Sequence, residues 1–184
     1  MVLNMELPHN GEKTIDDILL LKNGQRAELL DGHMYYIPPP SIRHQEIIAW
    51  LAENINNYIK KNNKTYKVFT SPFPVYIAND NKNYVEPCLS VICNEDILKD
   101  NKCFGAPGLI MEVVTPKGRW MAYCLKLVKY YNSGVGEYWI ADPAECSVMV
   151  YNFRQSSYNR YTFNDKVKSA TLEGLEIDFS QMDI

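Results

Sequence analysis

The chain has 184 residues, 46% of them hydrophobic, and a formal net charge of −3. That length suits one domain, residues 1–184 with a core at about 14–177, and is short for two. A broadly basic nucleic-acid coat is excluded by the charge, and no run approaches the ~18 apolar residues of a membrane span.

The N-terminus, Met1 to Pro8, lacks the basic flank and apolar run of a secretory signal, so a cytoplasmic protein with no membrane partner is expected. From there, Thr14-Ile15-Asp16-Asp17 begins like a capped short helix, which Asn23-Gly24 ends. Residues 26–37 read as two strands joined at Asp31-Gly32, a strong hairpin signal. Pro38-Pro39-Pro40 stops the second strand, and Ser41 is placed to cap a helix over 42–60. Ile47, Ile48, Leu51, Ile55 and Tyr58 form its apolar stripe.

Strands are predicted at 67–70, 73–78 and 85–93, with a polar turn at 79–83 and a polar loop after Cys93. A strand at 108–115, a helix at about 119–132 and a strand at 137–141 form a unit of the kind that crosses over right-handedly between parallel strands. A hairpin over 147–153 and 158–163 follows, and the tail at 172–177 is predicted to make a short helical turn. The pattern is α/β (α+β), a mixed β-sheet core flanked by helices.

Five cysteines (Cys88, Cys93, Cys103, Cys124 and Cys146) are odd in number and include no CxxC pair. They are expected to be reduced thiols that pack as small hydrophobes, with no zinc site. Among the cations, Lys60, Lys61 and Lys64 read as a solvated helix end. Lys117 with Arg119 is the other candidate patch for a nucleic acid.

The chemistry-bearing stretch is Gly108 to Pro116, an almost fully apolar strand with one carboxylate, Glu112, in its middle. Burying a lone carboxylate is costly, so such a group is usually neutralised by a cation, a metal or a proton. Alternation places Ile110, Glu112 and Val114 on one face; on the preceding strand Glu86, Cys88 and Ser90 share a face. If the two strands are neighbours, Cys88 and Glu112 approach each other. On the following helix, Met121, Leu125 and Val128 are predicted to form the buried stripe. Lys126 would lie beside it and snorkel toward the sheet carboxylate.

At these residues the sequence resembles a known family. The matching pieces are Ala27-Glu28-Leu29-Leu30-Asp31-Gly32, Pro38-Pro39-Pro40-Ser41 with His44, Val85-Glu86-Pro87 and Gly105-Ala106-Pro107. Glu112-Val113-Val114-Thr115-Pro116, Lys126 with Tyr130, Gly134-Val135, and Glu137-Tyr138-Trp139-Ile140 with Asp142-Pro143 complete the set. In order and spacing they resemble the Uma-two family of restriction endonucleases, within the PD-(D/E)XK nuclease superfamily, from about Thr14 to Ile177.

The resemblance implies a restriction-endonuclease-like fold and metal-dependent hydrolysis of DNA phosphodiester bonds, with Mg²⁺ or Mn²⁺ as cofactor, DNA as partner and a homodimer as assembly. By position, the catalytic roles fall to Glu112, Lys126 and Glu28, and the metal falls to Glu112 and Cys88. The family's metal-binding Asp is Cys88 here, and three further positions that commonly carry acids are Gly108, Ala122 and His33. A thiol is poorly suited to Mg²⁺. Glu86 lies two residues from Cys88, roughly 6.6 Å along a strand, too far for a simple swap. His33 or Cys88 would favour a softer ion such as Mn²⁺ or Zn²⁺. Two readings stay open: an active endonuclease, and an inactive nuclease-fold protein in which Glu112 and Lys126 remain as a buried ion pair. For His44 both a phosphate contact and a helix-capping role stay open.

Overall fold

Chain reversal at Asp31-Gly32 builds the first functional wall. The computed structural model describes residues 11–183, so the segment Met1 to Pro8, read above for a signal, lies outside the described residues. Helix α1 (Ile15–Leu19) is closed at its start by the Asp17 carboxylate, which accepts from the Thr14 backbone N–H at 2.9 Å. Strands β1 (Ala27–Leu30) and β2 (His33–Tyr36) then pair antiparallel. Both turn residues are left-handed, Asp31 at φ 49° and Gly32 at φ 76°, which is what a two-residue Asp-Gly hairpin loop requires.

Helix α2 (Ile42–Lys61) starts where Ser41 Oγ accepts from the His44 backbone N–H at 3.2 Å. The expected stripe of Ile47, Ile48, Leu51, Ile55 and Tyr58 is buried, joined by Ile59. Lys60, Lys61 and Lys64 are exposed at its end.

The remaining strands are β3 (Lys67–Thr70), β4 (Val75–Tyr76), β5 (Leu89–Ile92), β6 (Leu98–Lys99), β7 (Lys102–Phe104), β8 (Leu109–Val113), β9 (Glu137–Asp142), β10 (Ser147–Asn152), β11 (Ser157–Thr162), β12 (Lys166–Lys168) and β13 (Glu176–Asp178). Six of them make the central sheet, in the order β11-β10-β9-β8-β5-β3. It is a mixed sheet: β8 and β9 are parallel, and every other neighbouring pair is antiparallel. Between β8 and β9 runs the helical connection that two parallel strands need.

β8 is buried on both faces. Leu109, Met111 and Val113 pack with α2, Trp139 and Phe179. Ile110 packs on the opposite layer with Ala122, Tyr130, Tyr138 and Ile140. A near-continuous apolar run is the sequence of such a doubly covered strand.

Four expectations change. Residues 85–93 are not one strand: Val85 makes an isolated bridge to Val75, and the ladder to β3 and β8 runs from Leu89. Pro87 has no N–H to give a ladder at that point. Of 73–78 only Val75–Tyr76 is strand, paired with β7 in a small sheet ordered β4-β7-β6. The loop expected after Cys93 therefore contains strands of its own. The tail makes a strand, β13, on β12, where Ile177 and Val167 both bury their side chains, and the expected short helical turn comes after it, at Phe179–Gln181.

Candidate active site

Three elements converge on one buried cation. Glu28 comes from the middle of β1, Glu112 from β8, and Lys126 from the helical connection to β9. Lys126 Nζ lies 2.7 Å from Glu28 Oε2 and 2.7 Å from Glu112 Oε1, with all three residues at most 6% exposed. Glu28 Oε1 also accepts from the Glu86 backbone N–H at 2.9 Å, which ties β1 to the chain entering β5.

Lys126 does not snorkel past an apolar stripe. The buried positions are Ala122, Lys126 and Tyr130, whereas Val128 is 58% exposed. Residues four apart drift by about 40° per step on an ideal α-helix, so three in a row leave the contact face. Here Met121–Lys126 is a π-helical turn, followed by α3 (Leu127–Asn132). The wider turn holds more residues and offsets that drift. Lysine's long stem gave no reason to expect it on the buried face, since it usually keeps its ammonium in water.

Both oxygens of Glu112 are engaged. Oε1 accepts from Lys126 and from the Tyr130 hydroxyl at 3.1 Å. Oε2 accepts from the Cys88 thiol at 3.0 Å and from the Cys88 backbone N–H at 3.4 Å. The β5–β8 register, Leu89 opposite Met111, carries on to set Cys88 opposite Glu112, so the two strands are neighbours. Tyr130 belongs to this site although sequence reasoning did not assign it a role; its spacing of four from Lys126 was the available signal.

Burial disfavours the charged form of Lys126, but Glu112 and Glu28 outweigh it and hold the ammonium well above its ordinary value. Burial and then Glu112 push the Cys88 thiol up, so it stays a protonated donor. Burial raises the Glu28 carboxyl, with Lys126 the main influence against it and Glu112 adding to it. Burial also lowers His44, with Glu112 opposing, so its imidazole is neutral at pH 7. His44 Nε2 lies 3.4 Å from Cys88 Sγ, while its backbone serves the helix cap.

These groups open onto a cleft of about 320 Å³. Its walls include Arg26, Tyr36, the Pro38–Pro40 run, Lys117 and Met121. Glu86 also lines it, but its carboxylate is held by Arg26 at 2.6 Å and by the Tyr84 hydroxyl at 2.6 Å. Arg119 is likewise occupied, by Asp142 at 2.6 Å and Glu145 at 3.0 Å. Lys117 is the member of the expected 117/119 patch that lines the cleft.

A family model described as "Putative restriction endonuclease", that of Uma2, matches residues 15–183. This chain belongs to the Uma2 family. The fold resembles the crystal structure of "a putative nuclease belonging to DUF820" from Anabaena variabilis. The TM-score is 0.77 at 19% identity, and the match covers 92% of this chain and 96% of that one. Among curated proteins none matches. The Uma2 membership and the fold expected from the sequence both stand.

The donors of this Uma2 chain do not fit a hard divalent ion. Mg²⁺ takes carboxylate oxygens and water in near-octahedral geometry. Here the second acid is a thiol, and Glu112 is committed on both sides to protonated groups. Among the described residues no three His, Cys, Asp or Glu side chains already converge as metal ligands. The other non-acidic positions divide. Ala122 lines the cleft, His33 is exposed on the β1–β2 hairpin, and Gly108 is elsewhere. A Cβ on Gly108 would stand 2.4 Å from Cys93 Sγ, so packing against Cys93 leaves no room for an acid there. No helix among the described residues is long and apolar enough to cross a membrane.

Proposed function

We propose that this Uma2 protein is a nuclease-fold module that binds nucleic acid or assembles with itself, in which Mg²⁺-dependent phosphodiester hydrolysis does not operate. One observation carries the reading: Glu112 spends both oxygens on Lys126, Tyr130 and Cys88, and the position of the second metal acid holds a protonated thiol. A water-activating Mg²⁺ needs free carboxylate oxygens. DNA as partner rests on the family relation, with Lys117 and the uncharged proline wall as the surface it would meet. A homodimer is the expected assembly, by analogy with endonucleases that pair two sites about a two-fold axis.

A plasmid-nicking assay with Mg²⁺ or Mn²⁺, run beside duplex binding and sedimentation velocity, tests this. Binding or dimerisation without nicking is expected. Nicking that disappears in Glu112→Gln overturns it. Cys88→Asp supplies the missing carboxylate, at the cost of like-charge repulsion with Glu112 when no ion is bound. That variant is expected to have a lower Tm than wild type in chelator and to recover it with millimolar Mg²⁺. Wild type is expected to show no such recovery, and a Mg²⁺ stabilisation of equal size in wild type would count against the reading.

A further inference from the structure

Strand β11 lies at one edge of the central sheet: β10 pairs with one side of it, and among the described residues no strand pairs with the other. Its register with β10 runs from Ser157 to Thr162 without a bulge, and Ser157 to Arg160 are exposed. One step further along, Phe163 N–H donates to the Cys146 carbonyl at 2.9 Å. Hydrogen-bonded and non-hydrogen-bonded pairs alternate along an antiparallel ladder. Residues 157, 159 and 161 therefore turn their backbone groups toward β10, while Tyr158, Arg160 and Thr162 turn theirs outward. Thr162 N–H is already used, by the Asp165 carboxylate at 2.7 Å. The outward N–H groups of Tyr158 and Arg160 meet no acceptor among the described residues.

Exposed edges are ordinarily guarded by lysine, proline, a bulge or a very short strand. At the opposite edge, β3 has four residues and carries Lys67. β11 has six residues and a single charge, Arg160, which has no carboxylate at ion-pair distance among the described residues. A row of rings leads to the same edge: Tyr131 to Phe153 at 5.5 Å, Phe153 to Tyr151 at 6.4 Å and Tyr151 to Tyr158 at 6.0 Å. Both ends of the row are open, Tyr131 at 55% and Tyr158 at 69% exposure. Aromatic surface beside an unpaired edge suits contact with another chain.

We propose that β11 pairs antiparallel with β11 of a second copy, about a two-fold axis normal to the sheet, with Tyr158 opposite the partner's Arg160. An antiparallel edge is complementary to itself, which is why a second copy fits it. The register follows by elimination, since only outward-facing residues can exchange bonds across the new ladder. Registers that pair Thr162 need the N–H that Asp165 holds, and one of them also sets Arg160 against the partner's Arg160, a destabilising like-charge pair. Setting Tyr158 against the partner's Tyr158 runs Arg160 into Ser156, whose φ of 49° is not extended. In the remaining register Tyr158 faces the partner's Arg160 on both sides of the axis, and each pair exchanges both N–H···O bonds. At the ~5.5 Å spacing of such a pair the guanidinium reaches the tyrosine ring, a cation–π contact in place of the carboxylate that Arg160 lacks. This pairing rests on the self-assembly arm of the proposed function, which names a second copy but no surface.

Sedimentation velocity of the full-length protein over a concentration series should show a reversible monomer–dimer equilibrium. Tyr158→Lys puts a cation opposite the partner's Arg160 and should weaken the dimer by roughly tenfold or more, with circular dichroism unchanged. Tyr158→Lys/Arg160→Glu sets opposite charges in the same pair and should restore the dimer to within about threefold of wild type. Amide exchange at Tyr158 and Arg160 should slow as the dimer forms, and Thr70→Lys, on the opposite edge, should leave the dimer unchanged. A monomer at every concentration, a dimer that Tyr158→Lys leaves intact, or no recovery in the double variant each overturns the proposal. A wild-type monomer whose duplex binding falls in Tyr158→Lys also overturns it and gives this edge to nucleic acid. A dimer indifferent to these variants keeps the self-assembly reading while overturning this surface, and Mg²⁺-dependent nicking overturns the functional reading alone.

Discussion

At the scale of single residues, Lys126 decides whether two buried carboxylates can coexist. Removing one member of a buried ion pair costs far more than the pair contributes, because the remaining charge has neither water nor partner. Lys126→Met should therefore destabilise the protein by about 3–5 kcal/mol in urea unfolding. Its pH dependence follows from Glu28, whose carboxyl burial already raises above its ordinary 4.5 and whose main opposing influence is Lys126. A carboxyl with a raised folded pKa favours folding below its unfolded value and loses that contribution as pH rises through the folded one. The variant should thus lose stability progressively above about pH 4.5, as the buried carboxyl is forced to ionise. In wild type the raised Lys126 keeps its contribution until pH passes its ordinary 10.5. Parallel pH profiles for the two proteins would refute this account.

The same residues show how far a sequence signal reaches. A carboxylate inside an apolar strand marked Glu112, yet Glu137 carries that signal equally, in the strand Glu137–Asp142. Glu137 is fully buried and meets only neutral donors: Trp139 Nε1 at 2.7 Å, Ser169 Oγ at 2.8 Å and the Thr171 backbone N–H at 2.8 Å. One buried acid lies in a cleft beside a lysine and the other is enclosed in a structural knot. Their partners are up to 34 residues away in sequence, so local pattern could not separate them.

At the scale of elements, the π-helical turn Met121–Lys126 sets which side chains face the sheet. Its sequence has no proline or glycine to signal the change of pitch, so apolar periodicity at α-helical spacing chose the wrong face. Tertiary contacts override it: Tyr138 donates to the Ala122 carbonyl at 3.3 Å, and Lys126 and Tyr130 are drawn to Glu112. Deleting the exposed Cys124 would return the segment to α-helical pitch and swing Lys126 by about 100° relative to the preceding turn. That deletion should cost stability on the scale of a broken buried ion pair, about 3–5 kcal/mol. Cys124→Ala should stay within about 0.5 kcal/mol of wild type, as expected for an exposed position away from the pairs. Equal urea midpoints for the two variants would remove the π turn from this account.

At the scale of the whole molecule, β8 and β9 carry both core layers, so neither layer can dissolve alone without exposing the other. We therefore expect one cooperative unit over the described residues. Tryptophan fluorescence, to which the buried Trp139 at 1% exposure contributes, and far-ultraviolet circular dichroism should give coincident unfolding curves. Separated midpoints would argue for two independently stable parts.

By itself the sequence determined what depends on near neighbours along the chain. The Asp31-Gly32 hairpin, the Ser41-capped helix with its apolar stripe, and the acid-bearing strand followed by a lysine-bearing helix all follow from turn geometry, capping and periodicity. The ordered motifs across residues 15–183 placed the chain in its family. Only the tertiary structure decided which groups satisfy Glu112, that Lys126 lies on the buried face, that Glu86 is taken by Arg26, and that His44 stands beside Cys88. Those outcomes depend on strands and helices far apart in sequence competing for a few polar partners where water is excluded. An unpaired buried charge is too costly to leave, and the global packing settles where each one goes.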